Sequence, residues 1–179
     1  MKAASIPNAL TILRMLLAAP IAWLMVAEQY AVTLLVFGFA GFTDWLDGYL
    51  ARRYGWTTTL GAVLDPVADK LLAAAAYVTL AWNGLVPAWL AVLVVARDVL
   101  IIARALWFRA WRGFFPLPSG MSKLNTGVQI AFVLVVLGHA LTGLVPAAVH
   151  GTLLAAVAVM TITSGAHYLW TWGRAMLGR

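Results

Sequence analysis

Asp44, Asp47, Asp65 and Asp69 fall within one window of twenty-six residues and make up four of the six acidic residues in the chain. Their surroundings are almost wholly apolar. A carboxylate inside a membrane helix costs about 2.5–3.5 kcal/mol on insertion scales, so four cost on the order of 10. Four carboxylates in a low dielectric cannot all stay ionised without cations. No His or Cys stands nearby, and oxygen-only ligation favours a hard divalent ion, Mg²⁺ or Mn²⁺. Two such ions can clamp a diphosphate and stabilise the attacking and leaving oxygens of a displacement at phosphorus. Arg52 adds a fixed cation for a phosphate. The same four acids are also compatible with an ion-conducting cluster, as in a carboxylate-lined cation transporter. A site near one membrane face favours the enzyme, because transporters usually bind at the bilayer midplane.

The elements that position these acids must be membrane helices. The 179 residues are 64% hydrophobic and 10% charged, with a mean hydropathy of +0.93. That composition excludes an ordinary soluble domain, and unbroken apolar runs exclude the alternating pattern of a β-barrel. The expected fold is an all-α integral membrane protein with six transmembrane helices, forming a single domain over residues 1–179. With no cysteine, disulfide and thiolate chemistry are excluded. The net charge of +6 points to orientation and anionic lipid, not to nucleic acid.

Hydropathy predicts spans at about 6–27, 31–52, 61–82, 86–107, 122–143 and 147–172. Three breaks are very short, Glu28–Tyr30, Asn83–Val86 and Gly143–Pro146, and none holds a Lys or Arg. All twelve cations lie toward the opposite side, which the positive-inside rule makes cytoplasmic, together with both termini. Trp82 and Trp89 mark the outer interface; Trp107, Trp111, Trp170 and Trp172 mark the inner one. No cleavable signal or mitochondrial presequence is expected, and a bacterial inner membrane fits best.

Asp44 and Asp47 then close the second span on the cytoplasmic side, and Asp65 and Asp69 open the third. The spacings i,i+3 and i,i+4 put each pair on one helix face, and a short connection lets the two faces meet. Gly48 and Ala51 leave the Asp44 face bare for a closely approaching ligand, and Gly61 does the same at the head of the third span.

The full spacing, Asp44-x2-Asp47-Gly48-x2-Ala51-Arg52-x8-Gly61-x3-Asp65-x3-Asp69, resembles the signature of the CDP-alcohol phosphatidyltransferase family without a departure. The resemblance, which covers essentially the whole chain, implies transfer of a phosphatidyl group from a CDP-linked lipid to an alcohol, with release of CMP. It implies that Asp44, Asp47 and Asp65 ligate two metal ions. Asp69 would touch the second ion and take the proton of the acceptor hydroxyl. Gly48 and Arg52 would hold the CDP part, with Gly61 beside them and Thr58 as a further contact. The opening Pro7-Asn8-Ala9-Leu10-Thr11-x2-Arg14 resembles the family's first helix, where Asn8 and Thr11 face the cytidine nucleotide. Read alone, Asn8 is an N-cap. The family also implies a homodimer.

Two stretches bear on the acceptor. Arg97-Asp98-Val99-Leu100-Ile101-Ile102 and Ser122-Lys123-Leu124-Asn125-Thr126-Gly127 resemble the branch that makes cardiolipin. The branch that makes phosphatidylglycerophosphate more often shows Gly-Lys-x-Lys-Thr where Ser122 and Asn125 stand here. One cation fewer suits a phosphodiester acceptor. The implied donor is CDP-diacylglycerol and the implied acceptor phosphatidylglycerol; glycerol 3-phosphate is the alternative. Arg97, Arg104, Lys123 and Asn125 are the expected acceptor contacts. Arg109 and Arg112 are expected to snorkel to the interface, Asp98 to partner Arg97 or support Lys123, and His139, His150 and His167 to hold no metal.

Overall fold

In a computed structural model the chain is helical throughout its described residues, which are 6–56, 61–112 and 120–176; of these, the side chains at 6, 7, 51, 52, 62, 63, 112, 175 and 176 are not described. Six helices follow one another: α1 Ile6–Val26, α2 Tyr30–Tyr54, α3 Gly61–Trp82, α4 Ala88–Arg112, α5 Gly120–Thr142 and α6 Ala147–Met176. By length and composition, three are long and apolar enough to cross a membrane: Asn8–Val26, Gly120–Thr142 and Ala147–Arg174. The other three carry most of the charge. Helices α2 and α4 run past the ends expected from hydropathy, reaching Tyr54 and Arg112. Charged side chains end an apolar run, but Arg is a good helix former and the backbone continues through it.

The chain divides into two compact units, Met1–Val86 and Pro87–Arg179. In the first, α1 packs against both α2 and α3. Its register against α3 is parallel, since Thr11 meets Asp65 at one end and Met25 meets Thr79 and Asn83 at the other. Ile21, Met25, Ala40, Ala68, Ala76, Tyr77 and Leu80 form its fully buried core. In the second unit α6 packs against α4 and α5 around Leu90, Val94, Phe132, Leu137 and Val157. Trp107 lies near both Trp111 and Trp172, at 5.6 and 6.2 Å between ring centroids, which gathers three of the interfacial tryptophans at one end. Large apolar side chains stand exposed along the helices, among them Trp23, Leu35, Phe39, Trp82, Val92 and Ile162, as a lipid-facing surface requires.

Each short break is closed by the backbone itself. After α1, Gln29 N–H donates to Leu24 O (2.9 Å) and Glu28 N–H to Met25 O (3.0 Å), the paired bonds of a Schellman cap. After α3, Leu85 N–H donates to Leu80 O (2.9 Å) and Gly84 N–H to Ala81 O (3.1 Å) in the same pattern. Helix α5 ends on a single bond from Gly143 N–H to His139 O, 2.7 Å. These caps need a left-handed residue; Gly84 and Gly143 supply φ of 72° and 68°, but the first cap uses Glu28 at φ 57°. A side chain there costs about 1–2 kcal/mol relative to the right-handed conformation, a cost Gly avoids. Glu28 is exposed. Glu28→Gly is therefore expected to stabilise the protein by about 1 kcal/mol and Glu28→Val to destabilise it, read as opposite shifts in thermal unfolding in detergent.

Candidate active site

The four aspartates meet at one end of the first unit, and α1 is what joins them. Thr11 and Arg14 stand one turn apart on α1 and are both buried. The Thr11 hydroxyl donates to Asp65 Oδ1. The Arg14 guanidinium is 1% exposed and forks between both acid-bearing helices. Nη1 lies 2.7 Å from Asp44 Oδ1 and also donates to Asp69 Oδ1; Nη2 donates to Asp47 Oδ2 at 2.5 Å. One guanidinium therefore gathers three carboxylates from α2 and α3, as its planar fork of donors allows.

Accessibility divides the acids. The Asp47 side chain is 5% exposed, whereas those of Asp44 and Asp69 are 48% and 41% exposed. Asp47 floors the cluster, and Asp44 and Asp69 form its open rim. Among the described side chains joined by these contacts, one guanidinium faces four carboxylates, an excess of negative charge. Oxygen-only donors in that excess fit a hard divalent cation. Among the described residues no group of three or more acidic or histidine side chains is arranged to hold a metal ion, and the Arg14 guanidinium contacts three of the acids. The residues fit a metal by chemistry, and their convergence is held by an arginine.

The other expected donor-side residues belong to the same unit. Asn8 lies one turn before Thr11, half-buried; Gly48 is half-buried one turn beyond Asp44; Gly61 is buried at the head of α3. Arg52 is in α2, but its side chain lies outside the described residues, as does the whole of Thr58.

The four expected acceptor contacts belong to the second unit and do not share one environment. Arg97 is 2% exposed and bound from every side. Its Nη1 donates to Asp98 Oδ1 at 2.7 Å, and its Nη2 to Ser122 Oγ at 2.9 Å and Ser164 Oγ at 2.7 Å. Arg104 lies over the rings of Phe108 (5.4 Å) and Tyr168 (4.9 Å), and Arg97 lies 6.0 Å from the same Tyr168 ring. Arg97 and Arg104 thus meet at Tyr168. Lys123 is exposed, and Asn125 is fully buried with its Oδ1 accepting from Thr161 at 3.2 Å. Asp98 partners Arg97, one of its two expected roles. His139 and His150 approach each other at 6.3 Å between ring centroids.

Sequence places Arg14 in the first-helix motif and among the topology cations but does not reveal its contacts with the aspartates, nor any role for Thr161, Ser164 and Tyr168. One signal was present for each: a cation one turn after Thr11 in an otherwise uncharged span, and polar positions at 161, 164 and 168 with helical spacing on α6.

An all-helical chain with a cluster of four aspartates at one end of a three-helix unit defines the class as a helical membrane protein with an acidic polar centre. The family model for CDP-alcohol phosphatidyltransferase matches residues 4–165. The chain belongs to the CDP-alcohol phosphatidyltransferase family. It is 36% identical over 146 residues to a human protein named cardiolipin synthase (CMP-forming), covering 72% of this chain and 48% of the relative. It is 31% identical over 150 residues to CDP-diacylglycerol–glycerol-3-phosphate 3-phosphatidyltransferase of Bacillus subtilis, covering 75% of this chain and 77% of the relative. A Pseudomonas fluorescens protein of the latter name is 44% identical over 111 residues, 58% of this chain and 55% of the relative. The chain spans about half the length of the human relative.

The Arg97 cluster makes a stability prediction. Removing one partner of a buried pair leaves an uncompensated charge and costs about 3–5 kcal/mol. Arg97→Met is expected to lose most of its folded yield or to melt far below wild type in detergent. Lys123→Ala is expected to stay within about 0.5 kcal/mol.

Proposed function

We propose that this chain transfers the phosphatidyl group of CDP-diacylglycerol to phosphatidylglycerol, giving cardiolipin and CMP. The observation that carries the reading is the meeting of both aspartate pairs at one end of the first unit, in a chain of this family. Asp44, Asp47, Asp65 and Asp69 would hold two Mg²⁺ or Mn²⁺ ions. When bound, these ions supply Lewis-acid polarisation of the diphosphate and charge neutralisation of the leaving group. Asp69, on the open rim, takes the proton of the acceptor hydroxyl. The hydroxyl oxygen bonds to the lipid-side phosphorus, and the phosphorus–oxygen bond to CMP breaks. Asn8, Thr11, Gly48, Arg52, Thr58 and Gly61 are the proposed contacts of the CDP part. On the acceptor side, Arg97, Arg104, Lys123 and Asn125 are the proposed contacts.

All six helices are proposed to cross the bilayer. The shortest has 21 residues, and a helix of about 20 spans the roughly 30 Å of hydrocarbon. The absence of cations from the three short breaks supports cytoplasmic termini, and a bacterial inner membrane is the proposed location. Residues 1–179 are proposed to act as one functional domain, working as a homodimer. The family match running across both units favours the single domain.

Relatives of both names match, so the acceptor rests on α5, where Asn125 stands in place of a Lys and Ser122 in place of a Gly. A phosphatidylglycerophosphate synthase acting on glycerol 3-phosphate is the second reading. It is favoured by the Bacillus subtilis relative, which aligns over most of both chains. The cation-transporter alternative gains nothing from the family.

Purified protein in detergent, given CDP-diacylglycerol and each radiolabelled acceptor in turn, is expected to form cardiolipin faster than phosphatidylglycerophosphate. Faster product from glycerol 3-phosphate would promote the second reading. Chelation with EDTA should abolish CMP release, and Mg²⁺ or Mn²⁺ should restore it; release indifferent to divalent ions would remove the metal reading. Asp69→Asn is expected to lower turnover by about 10²–10⁴-fold while CDP-diacylglycerol binding persists.

A further inference from the structure

Arg14 does more than fill space among the acids. Its contacts use Asp44 Oδ1, Asp47 Oδ2 and Asp69 Oδ1, one oxygen from each of three carboxylates. A divalent ion drawing on the same carboxylates needs oxygen lone pairs at about 2.0–2.2 Å. A lone pair directed at a guanidinium N–H is not directed at a metal. The guanidinium is also buried, so it repels a nearby dication with little solvent screening. The acids nevertheless need a cation, since without one their mutual repulsion would drive α2 and α3 apart at this end.

We propose that Arg14 is a resident counter-cation, a positioning residue that keeps the aspartates assembled without metal and gives up their oxygens when a divalent ion binds. This rests on the reading that the aspartates hold metal. Arg14 then has two opposed effects. It supports the metal-free fold, and it weakens apparent metal affinity, because binding must displace it. A purely structural arginine has only the first, so removing it would leave metal binding unchanged or weaker.

The test is Mn²⁺ binding to the full-length protein in detergent, by the loss of the free-ion EPR signal, together with thermal unfolding with and without Mn²⁺. Arg14→Gln keeps polarity and removes charge. It is expected to melt below wild type without metal, to recover more than wild type on adding Mn²⁺, and to half-saturate at a Mn²⁺ concentration about tenfold lower or less. Arg14→Lys keeps the charge, but its single ammonium is a poorer fork for three carboxylates, so it should fall between the two. If Arg14→Gln does not fold, Arg14→Lys decides the matter by the same shift in half-saturation. Half-saturation equal to or above wild type in the folded variant overturns the proposal while leaving the metal reading intact. No Mn²⁺ binding by wild type or variant overturns the metal reading, and this inference with it.

Discussion

The buried guanidinium of Arg14 is the constraint around which the first unit is organised. A single buried ion has a desolvation cost of several kcal/mol, and only close, well-aligned partners offset it. Here the partners come from two helices, so the side chain is satisfied only while α1 packs against α2 and α3 together. Thr11, one turn earlier, adds a hydroxyl donor to Asp65 and brings the fourth carboxylate to the same helix. At the other end, the Asn83 amide donates to the Met25 carbonyl at 2.6 Å and the Thr79 hydroxyl to Met25 Sδ at 2.8 Å. Polar contacts at both ends fix the register of α1 against α3, and small side chains such as Ala68 and Ala76 permit close approach between them.

The second unit meets the same problem in a different way. Arg97 is as buried as Arg14, but its charge is met by one neighbouring carboxylate and two serine hydroxyls. One cation, one anion and neutral donors and acceptors make a balanced set, and Asn125, Thr161 and Gln129 extend it along α5 and α6. A balanced buried network specifies packing and needs no ligand. The aspartate cluster carries more anions than cations and opens at Asp44 and Asp69. The two buried arginines thus differ in their surroundings, three carboxylates for Arg14 and one carboxylate with two serine hydroxyls for Arg97.

Much of this was legible in the residue order. Six apolar runs became six helices, and the spacings of Asp44 to Asp47 and Asp65 to Asp69 did put each pair where it meets the other. Helix ends were less legible, because hydropathy registers where charge begins and Arg109 does not stop α4. Pairing between helices was least legible. Periodicity tells which residues share a face, but not which neighbour that face meets. The sequence does not show that Arg14 meets three aspartates, or that Arg97 and Asn125 meet serine and threonine hydroxyls.

The aspartates also differ in exposure. Asp47 lies one turn nearer the C-terminal end of α2 than Asp44, and Arg14 reaches it with the nitrogen that serves no other acid. Asp44 and Asp69 share the remaining terminal nitrogen, and they are also the two acids whose side chains are exposed. From outside, Asp44 and Asp69 are reached first and the buried Asp47 last. The fold thus sets one buried carboxylate at the floor of the cluster and two exposed ones at its rim.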